Sequence, residues 1–250
     1  MKKENVDKAI EKQEKAVENL KKAQEDLEDR LDQLRKEQQE ELLSALESRF
    51  RAMLSRQIEC NKVTNRLADV GPANWKRSDQ LELADLSQKQ RWVGDQANEA
   101  LFLLTEEGST VILPTLIEQI RDDGREVADR LAAADAGDAV RVTQADLEAV
   151  LRDIIEAIER KQEEMENEEE SGDQDSGDQN RPLLPGSAEL KLLRACQLRV
   201  NKMTQQLQTD RAKPDASAEE IGKRLKKLAE RQDGVAEMAK DMHESLRKAQ

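Results

Sequence analysis

The chain has 250 residues, of which 38% are charged, and it carries a net charge of −13. It has no Tyr, two Phe and two Trp, with 10 Gly and 5 Pro. Phosphate binding needs clustered Lys and Arg, and base stacking needs aromatic platforms, so this composition argues against nucleic acid as a partner. Sparse turn formers and abundant Glu, Lys, Leu, Arg and Gln suit long helices and coiled coils.

Residues 3 to about 70 read as one helix, with no Gly or Pro before Gly71-Pro72. Its first part alternates 3 and 4 spacing through Val6, Ile10, Gln13, Val17, Leu20, Gln24, Leu27, Leu31 and Leu34. That is the seam of a coiled coil, and an oligomer interface is expected along Val6, Ile10, Val17, Leu20, Leu27, Leu31 and Leu34. The apolar face widens at Leu42-Leu43, Leu46, Phe50 and Met53-Leu54, where the helix is expected to enter a bundle.

Ser78 is the expected N-cap of a second helix reaching about Thr105, with Gly108 as its stop. Ser109 or Thr110 opens a third, with Pro114 in its first turns, ending near Ala136-Gly137. Thr143 with Asp146 has the form of a capping box and opens a fourth helix through about Met165. Residues 166–186 read as an acidic disordered linker, because Glu166 to Asn180 lacks basic residues and has little apolar surface to bury. A fifth helix runs from Ser187 to about Asp210, and Ser217 with Glu220 caps a sixth.

One segment occurs twice. Gln57-Ile-Glu-Cys-Asn-Lys-Val-Thr-Asn-Arg-Leu67 returns 140 residues later as Gln197-Leu-Arg-Val-Asn-Lys-Met-Thr-Gln-Gln-Leu207. A second echo, Leu86-x3-Gln90-x2-Val93-x3-Ala97, returns as Leu228-x3-Gln232-x2-Val235-x3-Ala239. A repeated apolar skeleton with a repeated polar set points to one supersecondary unit used twice. The expected architecture is all-α. A coiled-coil arm (1–42) feeds a bundle (43–165) made of the first repeated hairpin and two inserted helices. The linker (166–186) follows, and a second hairpin (187–250) packs on the bundle.

Gln57, Asn61 and Thr64 share one helix face, as do Gln197, Asn201 and Thr204. They form either a polar binding stripe or a buried polar seam that fixes helix register. The seam reading is favoured because nothing reactive accompanies them. It predicts that the first and fifth helices touch along 57–67 and 197–207. Lys62 and Lys202 lie one position off the stripe and read as surface lysines. Antiparallel packing of the two repeat helices would place Cys60 level with Cys196. A disulfide is then conceivable, although two buried thiols are the simpler reading.

His243 is the only histidine, and no Cys/His pair has metal-ligand spacing. No nucleophile–base arrangement or phosphate-cradling loop is visible, so no catalytic, cofactor or metal residue is expected. Any metal enzyme would have to be built on a cluster such as Glu118, Asp122 and Asp123 with Glu126, and the ridge of 118, 122 and 126 reads more simply as a solvent face. Asp173-x-Asp175-x-Gly177-Asp178 lacks the bidentate Glu of a calcium loop. No apolar run is long enough to span a membrane.

The runs Leu42-Leu-Ser-Ala-Leu-Glu-Ser-Arg-Phe-Arg-Ala-Met-Leu54, Gln119-Ile-Arg-Asp-Asp123, Val127-Ala-Asp-Arg-Leu131 and Ala188-Glu-Leu-Lys-Leu-Leu-Arg-Ala-Cys-Gln-Leu-Arg-Val-Asn201 carry a resemblance. They are similar to a group of planctomycete helical, coiled-coil-rich proteins of unknown function, often labelled as resembling chromosome-partition coiled coils. The group implies no catalytic residue or cofactor. Its members tend to be exported or held at the cell envelope, which implies a periplasmic or envelope location; a native start at Met1 implies the cytoplasm. The function expected is a non-enzymatic scaffold or adaptor that binds other proteins, or itself as a homodimer through the arm. The alternative is a binding module whose bundle groove, lined by the Gln/Asn/Thr stripes, takes a small ligand or peptide.

Overall fold

The computed structural model describes the backbone of residues 2–171, 182–212 and 217–248, and side chains within 12–168, 182–212, 217–245 and 247. The described residues are helical: α1 (Lys2–Val70), α2 (Arg77–Glu107), α3 (Ile112–Ala132), α4 (Asp138–Ser171), α5 (Gly186–Arg211) and α6 (Ala218–Lys248), with one 3-10 turn at Pro72–Asn74. The chain divides into two compact units, 1–44 and 45–250.

In the first unit α1 is a helix whose seam faces solvent. Val17, Leu20, Leu27, Leu31 and Leu34 are all exposed, from 51% at Leu31 to 70% at Leu20. The side chains of Val6 and Ile10 lie outside the described residues.

The second unit is a bundle. Along α1 the buried stripe is Leu46, Phe50, Met53, Gln57, Cys60, Thr64 and Leu67, a strict 3/4 alternation that presents one face to the core. Gly71 adopts φ 78, which glycine reaches at no steric cost, and ends the helix. Trp75 then locks the corner by donating its Nε1–H to the Leu67 carbonyl at 2.8 Å. Gly108 closes α2 in the left-handed conformation, as expected.

Helices α2 and α3 cross at two glycines. A Cβ on Gly124 would lie 3.1 Å from the backbone of Gly94, and one on Gly94 would lie 3.0 Å from the Arg121 carbonyl oxygen. The missing side chains let the two backbones approach, and Ser87 donates to the Ala128 carbonyl at 2.8 Å beside the crossing.

Several expected boundaries move, each for a local reason. The N-cap of α2 is Lys76 rather than Ser78, because the Asp79 carboxylate accepts the Lys76 backbone N–H at 2.8 Å. Helix α3 stops at Ala132, short of Ala136-Gly137. Ala134 turns left-handed at φ 58, and Asp135 donates its N–H to the Arg130 carbonyl at 2.9 Å. Thr143 does not open α4: it sits inside the helix with its hydroxyl on the Ala139 carbonyl, and α4 begins at Asp138.

The linker expectation for 166–186 is also corrected at both ends. Helix α4 continues to Ser171, and Leu183 and Leu184 are fully buried just before α5. Residues 172–181, which include the Asp173–Asp178 loop, lie outside the described residues. Ser217 does cap α6, accepting the Glu220 N–H at 3.4 Å, while the Glu220 carboxylate turns to Arg130 instead of closing a box.

The glycine crossing gives a paired test. Gly124→Ala forces a backbone already at 3.1 Å to yield, and is expected to cost about 1–3 kcal/mol in urea unfolding. Gly222→Ala, on an open helix surface with nothing within 4 Å, is expected to stabilise by about 0.5–1 kcal/mol.

Candidate functional site

The sequence-matched glutamines make the same pair of hydrogen bonds in each hairpin. Gln57 of α1 donates to Gln90 of α2 at 3.2 Å and accepts from it at 2.7 Å. Gln197 of α5 and Gln232 of α6 exchange two bonds of 3.1 Å. Each first glutamine also donates to the asparagine one turn later, Gln57 to Asn61 at 2.7 Å and Gln197 to Asn201 at 3.0 Å. A carboxamide offers donors and an acceptor at one tip, so two facing each other lock both the axial register and the rotation of their helices.

The two clasps differ in surroundings. In the first hairpin Gln57 and Gln90 are fully buried, and α4 closes over them. Gln144 donates to Gln90 Oε1 at 3.1 Å, and Asn61 donates to the Gln144 carbonyl at 3.2 Å and to Glu148 at 2.5 Å. Thr64 is buried beside them. In the second hairpin Gln232, Asn201 and Thr204 are exposed and Gln197 is half-buried. Thr204 donates only to its own helix, to the Val200 carbonyl.

Each stripe glutamine is thus bonded inside its own hairpin, and the helix lying across the first stripe is α4. A polar seam shared by α1 and α5 was the expectation. The physical reason for the different outcome is that Gln90 and Gln232, which belong to the second echo, already pair with Gln57 and Gln197. Both echoes were visible in the sequence, but their pairing was not.

A second polar assembly joins α5 and α6 to α3 and α4. Asp123 of α3 is buried and bonded by Arg231 and Lys227 of α6, the latter at 2.7 Å. Asp146 of α4 meets Arg199 of α5 at 2.8 Å and Arg231 at 3.7 Å. Arg130 reaches Glu220 at 3.0 Å, and Arg224 pairs with Asp210 at 2.8 Å. Burial pulls the Lys227 ammonium down, but Asp123 and Glu126 outweigh it and hold its pKa above the usual lysine value. Burial also raises the Asp146 carboxyl, against the opposing pull of Arg199 and Arg231. Alongside runs a cavity of about 70 Å³ edged by Glu126, Arg130, Met203 and Leu228. It is well below the several hundred Å³ of a typical small-ligand pocket.

Glu189 of α5 caps α3 from outside. Its Oε1 accepts the N–H groups of Val111 at 2.7 Å and Ile112 at 3.1 Å, satisfying donors that a helix start leaves orphaned. Burial raises its pKa, and those two N–H groups offset part of the effect. No sequence signal marks this role, since cap and helix lie 77 residues apart.

The remaining candidates fall apart spatially. Lys62, Lys202 and His243 are exposed. Of the acidic ridge, Asp122 pairs with Arg121 and Glu126 with Lys227. Among the described residues no group of three or more His, Cys, Asp and Glu has the geometry to hold a metal. Cys60 and Cys196 are buried and free. Cys60 packs with Leu67, Leu83, Leu86 and Val127, and burial pushes its thiol up to about 12.

Removing Gln57 leaves the Nε2 of Gln90 without its acceptor in the core, and takes from Asn61 Oδ1 the donor it accepts. Gln57→Ala is expected to cost about 2–3 kcal/mol in urea unfolding, whereas Gln197→Ala on the open clasp should stay within about 0.5 kcal/mol. The Cys60 thiol favours its neutral form in the fold, so its contribution to stability is complete below about pH 9 and is lost as pH rises towards about 12. Alkylation of Cys60 by iodoacetamide at pH 8, followed by mass spectrometry, should be far slower in the native protein than in urea.

No family model matches the chain, no curated protein is significantly similar to it, and no solved structure matches its fold at a significant level.

Proposed function

We propose that the protein is a non-enzymatic scaffold or adaptor that works through helix–helix packing and self-associates through its N-terminal coil. The observation that carries this reading is the exposed seam. Val17, Leu20, Leu27, Leu31 and Leu34 lie on one stripe of α1, all more than half exposed. Fully burying such a side chain contributes about 1.5–3 kcal/mol. Five on each of two helices can therefore exceed the association cost of about 4–15 kcal/mol. Gln24 on the same stripe lowers that gain and favours one alignment over its neighbours.

Glu18–Lys22 and Asp32–Arg35 form ion pairs along the helix, and Glu18, Lys22 and Asp32 lie on the face away from the seam. A charged outer face of this kind keeps the helix solvated and leaves the apolar seam as the face to be covered. The resemblance to the planctomycete group supports placing this scaffold at the cell envelope. The binding-module alternative has less support: Gln57 of the first stripe is buried and paired with Gln90, α4 lies across Asn61, and the cavity at the ionic junction is small.

Sedimentation of the full chain tests the reading. At tens of micromolar the wild type is expected near twice its 28.4 kDa mass, and the double variant Leu20→Lys, Leu27→Lys near that mass itself. A wild-type chain that remains monomeric there would remove the seam as an interface.

A further inference from the structure

The matched hairpins supply an internal template for what is missing from one of them. On α2 the face Leu83, Ser87, Gln90, Gly94 and Ala97 is entirely buried. The matching face of α6 is Leu225, Ala229, Gln232, Ala236 and Ala239, and every one of these is exposed. The contrast repeats on the other helix. Phe50, Gln57 and Thr64 of α1 are fully buried, while their counterparts in α5 are Leu190 (50% exposed), half-buried Gln197 and exposed Thr204. Positions facing inward between the paired helices do not show it: Val93 and Ala100 are buried, and so are Val235 and Met242.

The cover over the first hairpin is α3 and α4. Helix α3 lies against Ser87 and Gly94, and α4 brings Gln144 to the clasp and Glu148 to Asn61. Among the described residues nothing covers the second hairpin in the same way. The Nδ2 of Asn201 has no acceptor among the described residues, although its counterpart on Asn61 has two. The Oε1 of Gln232 accepts one donor, where that of Gln90 accepts two.

We propose that this outer face of the α5–α6 hairpin is a docking surface for an amphipathic helix of a partner protein. That helix presents a carboxamide and, one turn later, a carboxylate, as Gln144 and Glu148 do. The carboxamide completes the Gln197–Gln232 clasp and the carboxylate accepts from Asn201. Leu190, half exposed on the same face of α5, gives the contact its apolar area. Helix α4 runs antiparallel to α1, since Asn61 meets Glu148 while Arg51 meets Glu159. By the same geometry, exposed Arg194, which stands where Leu54 does, favours a second acid about two turns further along the partner.

A second copy of this chain suits the face less well. The exposed edge of α6 reads Lys226, Glu230, Asp233, Glu237, Lys240, nearly symmetric about its centre. Antiparallel self-packing would set lysine against lysine and acid against acid.

The proposal rests on the scaffold reading and names the partner's chemistry. Its test uses the full chain and, as probe, a fluorescein-labelled peptide of residues 138–165, followed by anisotropy. Saturable binding is expected, weakened at least tenfold (about 1.4 kcal/mol) by Gln144→Ala with Glu148→Ala in the peptide, and equally by Asn201→Glu in the chain. No saturation up to about 1 mM overturns the proposal. So does binding that ignores Asn201→Glu, because the peptide is then replacing α4 on the first hairpin. Loss of the chain's own self-association in Asn201→Glu would also overturn it, by making a second copy the occupant. Sedimentation of the Leu20→Lys, Leu27→Lys variant reads the arm separately, so the failure of one idea leaves the other measurable.

Discussion

A carboxamide buried in an apolar core has to be paired, and that constraint sets the rest of the bundle. Gln57, Gln90 and Gln144 come from three different helices and are all buried. Leaving any of them unpaired costs about 1–3 kcal/mol, comparable to a large fraction of net stability. Their mutual bonds therefore admit one axial alignment of α1, α2 and α4 and penalise slips of a residue or a turn, which leucines alone would tolerate. The Gly94–Gly124 crossing acts in the same direction from the other side of α2, by admitting one close approach of α3. Register here is set by small and polar residues, while the leucines supply the driving force.

The second hairpin is attached by different physics. Its contacts with α3 and α4 run through Asp123, Asp146, Arg199, Lys227 and Arg231, with Glu189 reaching across to cap α3. Charges at such a junction gain less from each other than their Coulomb attraction suggests, because they give up water to meet. They are, however, demanding about geometry. An ionic junction can fix how a hairpin sits while leaving the hairpin's opposite face in water. In α6 that opposite face carries the clasp glutamine and three alanines, in the pattern that is interior in α2.

Much of this architecture was legible. The 3/4 spacing of Leu46, Phe50, Met53, Gln57, Cys60, Thr64 and Leu67 marks the buried face of α1 directly, because periodicity and burial are the same physical fact. Gly71 and Gly108 mark their turns through the positive φ they permit. The seam at Val17 through Leu34 likewise follows from spacing alone. Less legible were the ends of α3 and α4, where a left-handed Ala134 overrides its propensity and Thr143, a capping type by sequence, is absorbed into a helix. Local signals of this kind carry about 1 kcal/mol, and tertiary packing overrides them readily.

The sequence by itself determined the helical class, the seam, the two matched hairpins and the residues of both polar stripes, since each depends on spacing within a short stretch of chain. Only the tertiary structure decided what each stripe meets. Gln57 finds Gln90 and then Gln144, whereas Gln197 finds Gln232 and then solvent. Matched sequences end in unlike surroundings because burial depends on what the rest of the chain brings to a surface. Helices α3 and α4 pack over the first hairpin and meet the second only along its other side.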